Sequence, residues 1–84
     1  MKYLHTMIRV SNLTKSLEFY CTHLGMREIK RKENKVGRFT LVFLSAPDDE
    51  KAQIELTYNW DKENYREGRN FGHIAYAVDN INDL

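Results

Sequence analysis

The feature that most constrains the fold is a short repeat near the two ends of the chain. Residues 5–13 and 73–81 both follow the pattern His-x4-Val-x-Asn, ending in a leucine or an isoleucine, and the offset is 73 minus 5, or 68 residues. Self-similarity at a fixed offset is typical of a repeated structural unit. The sequence therefore predicts one complete unit followed by the beginning of a second one.

The first unit begins with a predicted strand at residues 2–10 and a predicted helix. In the strand, polar and apolar side chains alternate, so that His5, Met7 and Arg9 share one face. Ser11 and Asn12 then provide a helix N-cap, and Gly25 provides a stop signal. Between them, five residues recur at the spacing of one helical face, which predicts a short amphipathic helix packed on the sheet: Leu13, Leu17, Tyr20, Cys21 and Leu24.

Three further strands complete this unit. They are predicted at residues 26–33, 38–44 and 53–60, with a hairpin turn at 34–37 and a loop at 46–51 that contains Pro47. The last strand places Glu55, Thr57 and Asn59 on one face and apolar residues on the other. The predicted fold class is α+β, a βαβββ module over residues 1–60 with one helix on one face of the sheet.

The rest of the chain is predicted to be a linker and an incomplete second module. Residues 61–70 are polar, residues 71–78 read as a strand, and Asp79 and Asn80 resemble another helix start. A strand and a helix start at residues 71–84 cannot bury their own apolar faces. Either the chain is part of a two-module protein, or this segment pairs with a second copy by domain swapping.

Composition and charge narrow the class of protein. The 84 residues are 42% apolar and 30% charged, with a net charge of +1, which is typical of one small folded domain. The balanced charge provides no general attraction to nucleic acid or to an anionic membrane, so neither is an expected partner. No secretion signal is apparent, and we expect a cytoplasmic protein. Cys21 is the only cysteine, which excludes an internal disulfide framework and a thiolate metal cluster.

Three residues with metal-ligand chemistry lie on predicted polar strand faces: His5, Glu55 and His73. Imidazole nitrogens and carboxylate oxygens are common ligands of zinc, nickel, cobalt and iron. Their wide separation forms no compact motif, and half-exposed polar side chains are the alternative. If the units are related by pseudo-symmetry, the counterpart of Glu55 falls at 55 plus 68, position 123, outside these 84 residues.

Several segments resemble the glyoxalase I family of the vicinal oxygen chelate superfamily, in its compact bacterial form. They are LHTMIRV at residues 4–10, SLEFY at 16–20, LGM at 24–26, IELTYNW at 54–60 and GHIA at 72–75. The resemblance implies that His5, Glu55 and His73 bind one divalent metal, nickel or cobalt rather than zinc. It also implies that Arg9 and Asn59 contact the glutathione part of a hemithioacetal substrate.

The resemblance also carries expectations about activity and assembly. It implies isomerisation of the methylglyoxal–glutathione hemithioacetal to S-lactoylglutathione, with Glu55 as a catalytic carboxylate. The fourth ligand, which the family also uses as the base, is not among these residues, so impaired activity is expected. The compact form implies a homodimer in which His73 comes from the partner subunit. The alternative is a metal or small-molecule binding module without catalysis.

Overall fold

The computed structural model describes residues 1–66 and 68–83, in which five strands form a single sheet. All five predicted strands are present, and their ends differ from the predicted ones by at most one residue. The elements in chain order are β1 Lys2–Arg9, α1 Leu13–Leu17, a π-helical turn Glu18–His23, β2 Arg27–Asn34, β3 Phe39–Ser45, β4 Gln53–Asn59, β5 Phe71–Ala77 and a 3-10 turn Ile81–Asp83.

The strand order in the sheet is β2-β3-β4-β1-β5. β1 and β4 are parallel, and the other three neighbouring pairs are antiparallel. The parallel pair is possible because the helical segment and the β2-β3 hairpin lie between β1 and β4 in the chain, which gives room for a crossover. This mixed sheet with one helix confirms the predicted α+β class and its βαβββ order.

The helical segment starts where the sequence predicts and ends differently. The Asn12 side chain accepts a hydrogen bond from the backbone N–H of Lys15 at 3.0 Å, and Gly25 has a φ of 77°. After one α-helical segment the backbone widens into a π-helical turn, in which Leu24 N–H donates to the carbonyl of Phe19. None of the helices in the described ranges has the length and apolar character needed to cross a bilayer.

One face of the sheet carries the apolar core. Val42, Leu44 and Leu56 on β3 and β4 are fully buried there. The residues that pack around them come from β1, the helical segment and the flanking strands: Ile8, Val10, Leu13, Leu17, Tyr20, Cys21, Met26 and Ile54. The prediction that Leu24 shares this face is wrong, because Leu24 follows the wider π-helical turn and is 58% exposed. The opposite face is left free of helices and holds the candidate site.

β5 extends the sheet at its edge. It pairs antiparallel with β1 of the same chain, with Met7 opposite His73 and Thr6 opposite Ile74. Ile74 and Tyr76 are each 53% exposed, because the helical segment covers β1, β3 and β4 instead. The division into a module at 1–60, a linker at 61–70 and a second module at 71–84 remains a prediction. Positions 67 and 84 lie outside the described residues.

Candidate metal centre

Three neighbouring strands bring the predicted ligands together. His5 lies on β1, Glu55 on β4 and His73 on β5, all on the face of the sheet opposite the helical segment. Met7 on β1 is the register partner of both Glu55 and His73, so these two residues flank it on the same face. His5 is two residues from Met7 and shares this face because strand side chains alternate. The sheet register thus brings together residues 68 positions apart in the chain.

The three ligand atoms converge on one point. Nε2 of His5 lies 3.2 Å from Nε2 of His73 and 3.4 Å from Oε1 of Glu55. All three residues offer ligand atoms within 4.8 Å of one another. Both short contacts therefore share a single nitrogen of His5, and this nitrogen is the centre of the cluster.

Hydrogen bonding alone accounts poorly for this arrangement. A ring nitrogen of a neutral histidine is either a donor or an acceptor. If Nε2 of His5 accepts from His73, it faces the acceptor oxygen of Glu55 without a proton between them. If Nε2 of His5 instead donates its proton to Glu55, the same proton would also have to form the hydrogen bond to His73. A cation placed between the three atoms would be attracted to all of them at once.

Glu55 is the most buried member of the cluster. Its residue is 8% exposed, and the hydroxyl of Thr57, which is equally buried, donates to its Oε2 at 3.4 Å. A buried carboxylate has to be paired with a cation or be well hydrogen-bonded. The Thr57 contact is long, so it does little more than orient the carboxylate. Its other oxygen, Oε1, faces His5, which leaves it available as a ligand.

The separations fit a coordination sphere. Two ligands bound at about 2.1 Å to one ion lie about 3.0 Å apart at adjacent octahedral positions and about 3.4 Å apart in a tetrahedron. The 3.4 Å contact has the tetrahedral separation, and the 3.2 Å contact lies between the two values. The three ligands found among the described residues leave further coordination positions for a fourth protein ligand, water or a substrate. The donor set of two imidazoles and one carboxylate suits zinc, nickel, cobalt or iron.

The imidazole of His5 packs against an aromatic ring. The Phe43 ring on β3 is buried and meets the His5 ring edge to face, with centroids 5.7 Å apart. The Lys30 ammonium lies over the same Phe43 ring at 4.5 Å from its centroid. Packing against a rigid ring limits the rotation of the His5 imidazole and keeps its Nε2 directed at Glu55 and His73.

A cleft of about 390 Å³ adjoins the cluster at Glu55. Arg9 and Asn59, the two predicted substrate contacts, both line it. The Arg9 guanidinium donates to the backbone carbonyls of Arg69 and Phe71 at 3.3 and 3.1 Å, which holds it at one end of the cleft. The remaining lining residues are Met7, Phe39, Leu41, Glu55, Thr57 and Arg69. The cleft thus combines an apolar wall with two guanidinium-bearing residues and one amide.

Two of these lining residues were not predicted from the sequence. Thr57 was placed on the polar face of β4 without a role, and its hydroxyl contacts Glu55. Arg69 was assigned only to the polar linker, but its side chain pairs with Glu63 at 2.7 Å and borders the cleft. The sequence signal that could have placed Arg69 near the site is its position, four residues before the candidate ligand His73.

Another histidine and the cysteine lie outside the site. His23 is exposed and lies 3.7 Å from Glu18, as expected for a solvated side chain. Cys21 packs against the apolar core, and burial, together with the nearby Glu28 carboxylate, raises the pKa of its thiol. Neither residue belongs to the metal-ligand group that the described residues form.

The fold and the site together define a βαβββ module with a metal-ligand cluster on its open face. Residues 2–84 match the model of the Glyoxalase/Bleomycin resistance protein/Dioxygenase superfamily. The chain belongs to this superfamily, as its sequence motifs predict.

Similar proteins agree with this assignment. The chain is 51% identical over 80 residues to the lactoylglutathione lyase of Neisseria meningitidis serogroup B, covering 94% of this chain and 58% of that protein. It is 49% identical over 82 residues to the lactoylglutathione lyase of Haemophilus influenzae, covering 96% and 61%. The chain therefore spans about three fifths of the length of these curated relatives.

Solved structures show the same fold. Glyoxalase I of Leishmania major superposes with a TM-score of 0.72 at 37% identity, over 99% of this chain and 60% of that one. Methylmalonyl-CoA epimerase from Mycobacterium tuberculosis superposes with a TM-score of 0.61 at 30% identity, over 71% of this chain and 39% of that one. The predicted relationship to glyoxalase I is confirmed, and the fold is shared with a sister enzyme.

Proposed function

We propose that this chain provides the metal-binding module of a glyoxalase I, which converts the hemithioacetal of methylglyoxal and glutathione into S-lactoylglutathione. The observation that carries this proposal is the convergence of His5, Glu55 and His73 on one point. It occurs in a chain about half identical to proteins named lactoylglutathione lyase. Each of the three residues stands at the position that the sequence resemblance assigns to a metal ligand.

The proposed reaction moves one proton between neighbouring carbons. The proton leaves C1 of the hemithioacetal and is added at C2, while the hydroxyl proton moves from the oxygen on C1 to the oxygen on C2, so that atoms and charge balance. A divalent metal in the cluster would supply Lewis-acid stabilisation of the charge that develops on the two oxygens. Glu55 is the carboxylate of the cluster and is proposed as a catalytic group that holds or returns a proton.

The cleft beside Glu55 is proposed to hold the glutathione part of the substrate. Glutathione carries two carboxylates, and the guanidinium of Arg9 is suited to pair with one of them. Asn59 offers an amide, which can donate and accept hydrogen bonds. Arg69 lines the same cleft, and its guanidinium is paired with the Glu63 carboxylate at 2.7 Å.

Nickel or cobalt is proposed as the metal in preference to zinc. The donor set by itself suits all three ions. The preference depends on the resemblance to the compact bacterial form, which includes histidine at position 5.

A homodimer in the cytoplasm is the proposed state of the protein. The half-exposed apolar residues on β5, Ile74 and Tyr76, would be covered by a second copy. The three candidate ligands lie together in one chain, and the exchange of His73 between subunits stays a prediction. A cytoplasmic location agrees with a thiol substrate, since cytosolic thiols are kept reduced.

One observation favours a second candidate, a metal or small-molecule binding module without catalysis. Among the described residues, the cluster contains a single carboxylate, Glu55. If this carboxylate is fully engaged as a ligand, no second acid of the cluster is present to act as a base. Such a module would bind a metal or a small molecule and would not isomerise the hemithioacetal.

Metal-free protein supplied with nickel, cobalt or zinc separates the candidates. The glyoxalase proposal predicts thioester formation from methylglyoxal and glutathione, followed by ultraviolet absorbance, together with one metal bound per chain by calorimetry. A His73→Ala variant is expected to lose both signals, whereas His23→Ala, a matched change at an exposed histidine, retains them. One metal bound without turnover for any ion supports the binding module. No metal bound for any of the three ions contradicts the glyoxalase proposal.

A further inference from the structure

A hydrogen bond connects the proposed substrate cleft to the linker. Asn59, the last residue of β4, donates from its side-chain Nδ2 to the hydroxyl of Tyr65 at 3.3 Å, and both side chains are half-buried. Asn59 borders two clefts, the one beside Glu55 and another lined by Tyr65. Tyr65 therefore contacts the amide without lining the cleft beside Glu55.

This contact restrains the position of the amide. As placed here, one N–H of Asn59 is directed at the Tyr65 hydroxyl, and Oδ1 is free to accept a hydrogen bond. A terminal amide can rotate by about 180° and exchange its oxygen and nitrogen, but a phenol hydroxyl can accept from Nδ2 or donate to Oδ1. The hydroxyl therefore holds the side chain in either orientation and leaves the other polar group of the amide free. Without the hydroxyl, the side chain loses this anchor, and a ligand has to immobilise it.

The linker is held where it can perform this role. The Arg69 guanidinium donates to Glu63 at 2.7 and 3.4 Å, which connects the two sides of the linker around Tyr65. Arg9 donates to the backbone carbonyl of Arg69, which attaches the linker to β1. The linker is therefore attached to the rest of the site on the carboxyl side of Tyr65.

We propose that Tyr65 is a positioning residue for ligand binding. It acts through Asn59, holding the amide in place so that the polar group not bonded to Tyr65 can hydrogen-bond to the peptide part of a glutathione ligand. The inference rests on the proposed function, since it assumes a glutathione-type ligand in the cleft beside Glu55. It adds a residue outside the metal cluster and outside the lining of that cleft.

Tyr65→Phe tests this role because it removes the hydroxyl and keeps the ring. The probe is S-methylglutathione, a thioether that cannot react, titrated by calorimetry into the nickel-loaded full chain. Loss of one hydrogen bond that orients a binding group predicts a dissociation constant about fivefold higher. Nickel affinity and the thermal midpoint are expected to stay unchanged. Tyr76→Phe, which removes a hydroxyl from a half-exposed ring on β5, is the matched control and should bind as the wild type does.

A double-mutant cycle with Asn59→Ala shows whether Tyr65 acts through the amide. With the amide removed, Tyr65→Phe is expected to change the dissociation constant by less than about twofold. An equal loss in both backgrounds, or no loss in Tyr65→Phe alone, would overturn the inference and leave the proposed function standing. Wild-type protein that binds nickel and not S-methylglutathione would overturn the proposed glutathione cleft and the inference with it.

Discussion

β4 and β5 each supply one ligand to the cluster, and the two strands differ sharply in how they are held. β4 lies between β3 and β1 and is covered by the helical segment, so that Leu56 is fully buried and Glu55 is 8% exposed. β5 pairs only with β1 and leaves Ile74 half exposed. The position of Glu55 is therefore set by core packing and by backbone hydrogen bonds to two neighbouring strands. The position of His73 is set by backbone hydrogen bonds to one neighbouring strand.

This difference indicates how the site depends on the sheet. A ligand on a central strand is fixed even without a metal, because moving it would disrupt the core. A ligand on an edge strand can move away when its ladder is perturbed, since edge strands open at a lower free energy than central ones. A metal that binds both would therefore stabilise β5 more than β4. The following changes test this contrast.

Substitution of Glu55 by Gln is expected to have the largest effect on the site. Among the described residues, Glu55 is the only charged ligand of the cluster, and its loss should lower nickel affinity by more than about 100-fold. Stability of the metal-free protein should be retained or should increase slightly, because a buried charge is replaced by a neutral amide of the same shape. Calorimetric titration and thermal unfolding measure the two effects. Unchanged nickel affinity would remove Glu55 from the site.

A pair of alanine substitutions compares the two strands in stability. Leu56→Ala on β4 should lower the free energy of unfolding by about 3 kcal/mol, because it removes a fully buried side chain from the core. Ile74→Ala on β5 should cost less than about 1 kcal/mol, because half of that side chain is already exposed. Urea denaturation of the metal-free proteins measures both. Equal losses would contradict the assignment of β5 as the weaker strand.

Gly72→Ala should move His73 without replacing a ligand. A Cβ at Gly72 would lie 2.9 Å from the Met7 carbonyl oxygen and would overlap the Met7 side chain, so β5 has to shift away from β1. We expect nickel affinity to fall about tenfold, the size of effect that misplacing a ligand has in metal sites. Ala77→Gly, at the exposed end of the same strand, is the control and should bind nickel normally. Wild-type affinity in Gly72→Ala would show that β5 tolerates the shift.

The smallest expected effect concerns the pH dependence of Cys21, on the helical side of the sheet. Burial, and to a lesser extent Glu28, raises the pKa of this thiol above its ordinary value of 9.0. Folding therefore favours the protonated thiol; its stabilising contribution is complete below pH 9.0 and is lost as the pH rises through the folded-state pKa. Cys21→Ser should flatten this alkaline loss of stability. Alkylation by iodoacetamide, with denatured protein as reference, should show an apparent pKa above 9.0. An apparent thiol pKa equal to or below that of the denatured protein would contradict the burial of Cys21.

The strands were largely predictable from the sequence, because the alternation of polar and apolar residues indicates which side of the sheet each side chain faces. The start of the helix was predictable from Asn12, whose side chain makes the expected cap. The exposure of Leu24 was not, because the π-helical turn depends on i to i+5 hydrogen bonds that leave no periodic signal. Local sequence patterns thus predicted the strands and the start of the helix, but they did not predict the change from α-helical to π-helical geometry.

The sequence identified the candidate ligands by residue type, but it did not predict that their side chains lie close together in the fold. His5, Glu55 and His73 stood out by chemistry and by the repeat, but their convergence depends on β1 lying between β4 and β5. Sequence could not decide whether His73 would meet His5 in the same chain, because strand pairing over 68 residues is a tertiary property. The burial of Glu55 also escaped prediction, since its strand face was expected to contact water or a ligand.

The most direct measurement is anomalous diffraction from crystals of the nickel-loaded protein, collected at the nickel absorption edge. The account predicts one strong peak about 2.1 Å from Nε2 of His5, Nε2 of His73 and Oε1 of Glu55. A peak bound to other residues, or no peak with the three side chains unchanged, would contradict it.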